Sequence, residues 1–266
     1  MRRIIKPLMA TCLSVAASVV SFAVAAEEAC DAACLAARKA QDPLAPVTAV
    51  FTDNTFTFDN SGGNQTANYQ IQPVYSIDFG ETGHLILRGV INYNSVPSTP
   101  SDITGFSDTI LQAFWVPNTK LGPLSIGFGP QVSVQTRENP ALAGLGDGLG
   151  LAAVAFGFAG DLSYGGIIGH IRGENDVNVT TIQPIVFYNT EFLGGSYFGY
   201  NNTIAYNDAA PSGSQWTVPI GLTAGKTWAQ PNGGAIDFNI GYYYLVEAAA
   251  GANKQQFKFG LSYIFP

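Results

Sequence analysis

The chain closes on Lys258-Phe259-Gly260-Leu261-Ser262-Tyr263-Ile264-Phe265-Pro266. Phe259, Leu261, Tyr263 and Phe265 fall on one side of a strand of period two; Lys258, Gly260 and Ser262 fall on the other. Ile264 interrupts that polar side. An apolar face carried to the end of the chain suits two covers, the partner sheet of a soluble sandwich or a lipid bilayer.

The alternation recurs upstream. In QTANYQIQPVYSIDF (65–79) Ala67, Tyr69, Ile71, Pro73, Tyr75, Ile77 and Phe79 oppose Thr66, Asn68, Gln70, Gln72, Ser76 and Asp78. LSIGFGPQVSVQT (124–136) and AIDFNIGYYYLVE (235–247) repeat it. Runs of over a dozen residues exceed the usual strand of a soluble protein. They carry an apolar outside and a hydrated inside, as in an outer-membrane barrel. After the N-terminal leader no stretch is long and apolar enough for a spanning helix. In lipid such a sheet must close, because an open edge would leave amides unpaired.

Segment counting predicts an all-β, antiparallel up-and-down barrel of about twelve strands, near 50–59, 65–79, 84–95, 106–117, 124–136, 147–158, 161–172, 177–190, 196–207, 215–229, 234–247 and 255–265. An even number returns the C-terminus to the side of the N-terminus. Tight connections at 80–83, 118–123, 159–160, 193–195 and 231–234 then face the periplasm; the mostly longer 95–105, 137–146, 172–177 and 208–214 face outward. Tyr93, Trp115, Trp216, Trp228, Tyr263 and Phe265 suit interfacial girdles. LGLAAVAFGFAG (149–160) is apolar on both faces, so the sixth and seventh strands are poorly patterned.

The N-terminus reads as a secretory signal peptide over residues 1–26: Arg2, Arg3 and Lys6, an apolar run from Leu8 to Val24, and a small-residue exit at Ala23-Val24-Ala25-Ala26. Cys12 lies in that run without a lipobox. The whole chain has 12 basic and 19 acidic residues; losing three basic ones leaves 9 against 19, a net charge of −10. That balance excludes nucleic acid as a partner. Residues 27–46 form an Ala-rich segment expected to be a short helix in the periplasm or at the barrel mouth, ended by Asp42-Pro43 and Ala45-Pro46. Its Cys30 and Cys34, four apart in an oxidising compartment, are expected as a disulfide, within one chain or between two, with a pair of inert thiols as the alternative. The barrel then spans 47–266, and residues 27–42 are expected to be dispensable for its assembly.

Strand parity sends Asp53, Thr55, Gln70, Gln72, Asp78, Arg88, Asn92, Asp108, Gln112, Gln131, Gln183, Asn201, Thr203, Asp237, Asn239, Glu247 and Lys258 inward. Of these, Gln72, Asp78, Arg88, Asn92, Gln183, Asp237, Asn239, Glu247 and Lys258 are the candidate lumen and ligand-lining residues. Arg88 and Lys258 are expected to pair with Asp78, Asp237 or Glu247. Gln72-Pro73 in strand two echoes Gln183-Pro184 in strand eight, six strands later, with Gln inward and Pro outward. Half-barrel duplication and chance both account for so short a match.

Asn68 to Val74 (NYQIQPV), Gly127-Phe128-Gly129-Pro130, Gln215-Trp216-Thr217-Val218-Pro219 and the closing Phe265-Pro266 resemble a family of bacterial barrels. Its members are labelled neuromedin-U-like or transporter and are related to those grouped as the MetA-pathway of phenol degradation. The likeness runs from about Pro46 to the end; the hormone name is a misnomer. The resemblance implies a Gram-negative outer-membrane barrel, held in lipid and lipopolysaccharide, that moves small molecules. The phenol kinship implies lateral uptake of hydrophobic compounds, for which Pro73, Pro130 and Pro184 are weak points in the wall. Tyr263 and Phe265 resemble the terminal aromatic signal read by the barrel-assembly machinery, although Pro266 displaces Phe265 from the last position.

Three function classes compete. An enzyme such as an outer-membrane phospholipase needs Ser beside His, and neither His84 nor His170 has a Ser two positions away. Asp59 and Asp208 make no acid pair by sequence, and GLGDGLG (144–150) lacks the Lys-Ser/Thr of a phosphate loop. No motif calls for a cofactor or a metal. A packed structural or adhesive barrel is the second class, and a narrow channel the third. The channel is favoured because many inward positions are Gly or Ser; its acidic excess favours cations and neutral polar solutes.

Overall fold

The computed structural model describes residues 31–59, 65–142, 144–249 and 251–266. One antiparallel sheet closes on itself. Its strands are β1 (Ala49–Thr52 continued by Asn54–Phe58), β2 (Thr66–Asp78), β3 (Gly83–Val96), β4 (Ile103–Phe106 continued by Thr109–Pro117), β5 (Leu124–Val134), β6 (Gly148–Ala159), β7 (Leu162–Arg172), β8 (Asn178–Thr190), β9 (Ser196–Asn201 continued by Ile204–Asn207), β10 (Trp216–Ala229), β11 (Ala235–Glu247) and β12 (Gln255–Ile264). Each strand pairs with its neighbours in sequence. Closure is made by β1 on β12, with Ala49 opposite Ile264 and Phe56 opposite Phe257. The expected twelve-stranded up-and-down barrel is therefore the fold, and no sheet edge is left open.

The faces follow the alternation. Ile71 and Tyr75 on β2, Ile240 and Tyr242 on β11 and Leu261 on β12 are exposed on the outer wall, while Gln72, Asp237, Lys258 and Ser262 are buried inside. Short turns and the C-terminus lie at one end of the barrel. Gly160 shows why one of these turns can be so tight: its φ of +56° is a left-handed conformation that costs glycine nothing.

The prolines are not equivalent. The β2–β3 register skips from Ile71↔Ile91 to Val74↔Arg88, across Pro73. That of β4–β5 skips from Gln112↔Gln131 to Trp115↔Phe128, across Pro130. Pro184 sits in an unbroken β7–β8 ladder opposite Gly166.

The N-terminal segment lies within the bore at the short-turn end. Helix α1 (Ala32–Gln41) begins at Asp31, whose Oδ1 accepts from the Cys34 amide at 2.8 Å. It runs through good helix formers and stops before Pro43, with Arg38 and Lys39 in its last turn. Ala36 packs with Ala49, Ala235 and Ile264. Beyond the helix Leu44, 2% exposed, sits among Ile86, Phe114, Val116, Val154, Phe156, Ile185 and Phe187, all on the inner face. Burying a leucine this completely stabilises the arrangement by about 1.5–3 kcal/mol.

This packing accounts for two irregularities of the sequence. Ile264 breaks the polar side of β12 because it faces the helix, not water. In β6, Leu149 and Leu151 point outward while Val154 and Phe156 point at the Leu44 cluster. That strand is apolar on both faces because both faces have an apolar cover.

Cys34 is disulfide-bonded. Its expected partner Cys30, the signal peptide and Cys12 lie outside the described residues.

Candidate functional site

A belt of polar side chains crosses the bore above Leu44. On β2 and β3, Arg88 donates to Gln72 Oε1 through Nε at 3.1 Å and again through Nη2. Gln72 in turn donates to Gln70, and Gln70 to Asn92 at 2.8 Å. On the facing wall Gln183 of β8 donates to Asn201 of β9 at 2.7 Å. The Asn201 amide donates to the Tyr243 hydroxyl at 3.1 Å, which also bonds Thr223 at 2.7 Å. Gln112 of β4 donates to Gln131 of β5 at 2.9 Å.

Lys258 ties two of the strand interruptions together. Its Nζ donates to Asp53 Oδ2 at 3.0 Å and to Asn202 Oδ1 at 3.4 Å. Asp53 interrupts β1 and Asn202 begins the interruption of β9, so both interruptions carry a polar group to the same ammonium. The attraction across this partly buried pair is stronger than between surface ions, and the cost of desolvating both groups offsets it.

Gln72, Arg88, Gln183, Asp237, Asn239 and Lys258, all candidates from strand parity, line one cavity of about 140 Å³ between the belt and the N-terminal segment. Asn92 lies outside that lining, hydrogen-bonded within the belt. Asp78 and Glu247 lie at the two ends of the barrel and are exposed. Asp78 accepts from the Gly80 amide at 2.9 Å; Glu247 stands at the register shift between Val218 and Pro219.

The ion pairs expected for Arg88 and Lys258 with residues 78, 237 and 247 do not form. Asp237 lies opposite Ser262, four residues or about 13 Å along β12 from Lys258. Both its oxygens are occupied already: Tyr197 donates at 2.9 Å and 3.0 Å, Thr227 at 2.7 Å and Asn239 at 3.3 Å. The true partner is Asp53, which parity sends inward but which no local pattern pairs with Lys258.

The floor of the cavity is the segment that follows α1. Gln41 donates to Asn189 at 2.7 Å and accepts from Ser163 at 2.6 Å, a polar anchor in apolar surroundings. The Leu44 carbonyl lies 3.0 Å from His84 Nε2. Gly127 provides the seat: a Cβ there would stand 2.6 Å from Leu44 Cδ2. His170, by contrast, is exposed and bonds Thr180 at 2.9 Å.

Asp42 makes the floor pH-sensitive. Burial raises its carboxyl pKa from 3.8 to about 6, against the lowering effects of the Leu44 amide, His84 and Lys120. The seated state thus binds the proton more tightly than a released, hydrated segment does. Seating is strengthened as pH falls from about 6 to about 4, and that gain is lost as pH rises through 6. The unboiled, folded protein should gain more melting temperature between pH 7 and pH 4.5 than Asp42→Asn does. An equal gain in the variant would remove Asp42 as the sensor.

The class is thus a closed twelve-stranded barrel with a polar belt in its bore and its own N-terminal segment as a stopper. No protein-family model matches the chain, and no curated protein matches it in sequence. Among solved structures it is similar to the COG4313 outer membrane channel from Pseudomonas putida F1. The two share 14% identity with a TM-score of 0.58, over 82% of this chain and 93% of that one. At that identity the likeness carries the fold.

Proposed function

We propose that this chain is a narrow outer-membrane channel for passive entry of small polar solutes, stoppered from the short-turn end by residues 31–46. The observation that carries this reading is the polar belt inside a wall whose outside is apolar. A barrel whose only task was to be packed would have no need of hydrogen-bonding side chains around a cavity. Little of the acidic excess faces the bore: Asp78 and Glu247 stand at the ends, Asp53 and Asp108 are paired with Lys258 and Arg137, Asp237 is held by hydrogen bonds, and Asp42 lies in the floor. The cation preference expected from net charge therefore belongs to the mouths. The outward Tyr263 and Phe265, in edge contact at 4.9 Å, are proposed as the signal to the assembly machinery.

The protein should be recovered in the outer-membrane fraction and should migrate faster in a detergent gel before boiling than after, because a closed amide ladder resists detergent. The deciding experiment is conductance of the refolded protein in a planar bilayer, with liposome swelling in small sugars. A verified, inserted barrel that passes neither ions nor sugars, with or without residues 27–46, would establish the packed structural reading instead.

A further inference from the structure

We infer that the cavity beneath the belt is a binding site for a small monocarboxylate with a compact apolar body, its carboxylate held by Arg88. This rests on the channel reading in one respect only, that solutes can reach the bore. Arg88 has five guanidinium N–H donors. Those of Nε and Nη2 reach the neutral Gln72, and among the described residues no protein acceptor meets Nη1. The nearby carboxylate of Asp53 is committed to Lys258. Arg88 is therefore the cation of the belt without a carboxylate of its own, and it opens into the cavity. A planar fork with free donors is the group that best matches a carboxylate.

The remainder of the cavity selects the body of the ligand. Val74, Ile86, Phe114, Val154 and Ile185 form apolar walls, so a hydrated polar molecule gains little there. Three acids also line the space. Asp53 is neutralised at the belt by Lys258. Asp237 accepts from Tyr197, Thr227 and Asn239 and lies near the floor; Asp42 is in the floor itself, accepting from the Leu44 amide at 2.8 Å. The cavity is therefore polarised, cationic at the belt and acidic below. That polarity orients an amphiphilic anion with its carboxylate toward Arg88 and its tail on the apolar wall. A volume of about 140 Å³ suits a short acid and excludes a long-chain one.

The test is calorimetric titration of the full refolded protein in one detergent with hexanoate, acetate and hexylammonium, alongside Arg88→Gln and Arg88→Lys. Hexanoate should bind at least about tenfold more tightly than acetate, which lacks the tail, and than hexylammonium, which has the wrong charge. Arg88→Gln should lose about tenfold or more, and Arg88→Lys should fall between. Equal hexanoate affinity in native protein and Arg88→Gln would overturn the site. So would native protein that binds hexylammonium as tightly as hexanoate, which decides the matter even if Arg88→Gln fails to fold. Binding needs no conduction, so a barrel that binds hexanoate yet does not conduct would remove the channel reading alone. A conducting barrel without the preference would remove this inference alone.

Discussion

Deleting residues 27–46 should raise the single-channel conductance of the refolded barrel several-fold. Helix α1 and Leu44 occupy the bore from Ala235 and Ile264 on one wall to Ser163 and Asn189 on the other. An α-helix with its side chains is about 10–12 Å across, so little water can pass beside it. The deletion bares Ile86, Phe114, Phe156 and Phe187 to water, which lowers stability by an amount set by their lost burial. The barrel should nevertheless stay closed, since lipid forbids an open ladder, and the unboiled band should melt out at a lower temperature. The sequence suggests that residues 27–42 are dispensable for assembly; the packing of residues 31–42 adds that they lie in the interior. Unchanged conductance in a folded deletion variant would place the main resistance in the polar belt.

Leu261→Arg should destabilise the inserted barrel by about 2–4 kcal/mol, measured by reversible denaturant unfolding from phospholipid vesicles. Leu261 is 55% exposed on the outer wall, opposite Phe238 of β11, so the guanidinium would enter the hydrocarbon. Parity alone offers Ser262→Arg as the mild inward control. The structure withdraws it, because Ser262 is 4% exposed and lines the cavity beside the stopper, where an arginine would overpack. Thr57, which lines a cavity near the opposite mouth with Gln256 and Asn253, is the better control. A similar cost at 261 and 57 would mean that the outer face does not meet lipid.

What could be read from the sequence was whatever repeats locally. The period of two in β2, β5, β11 and β12 shows in their side chains, because each residue there answers to one cover, lipid or lumen. The twelve strands follow from it, although β4 begins at Ile103, three residues before its expected start. Helix α1 is legible from alanine content and from the prolines that end it. Its position is not, because Leu44 and Gln41 meet partners 40 and 122 residues away. Two hints existed, Ile264 on a polar face and the doubly apolar β6, and both mean that something apolar covers the inside. The belt was legible residue by residue through Gln72, Arg88, Gln183 and Lys258. Its pairing was not: parity sends Asp53 inward, but Asp53 and Lys258 are 205 residues apart and no local pattern joins them.

The place of the stopper in the chain bears on how the molecule is built. Ala36 packs with Ala49, which starts β1, and with Ile264, which ends β12; the Phe265 amide donates to the Thr48 carbonyl at 2.9 Å. These contacts lie on the seam where first and last strands meet. A cylinder sealed before the segment arrived would have to admit a preformed helix through its short-turn end. Seating as the seam joins requires no such threading, and it gives the last strand an apolar surface to settle on. The same few side chains then govern both the final step of assembly and the permeability of the finished wall. Mutations at Ala36, Ala49 or Ile264 should accordingly slow folding and leak together.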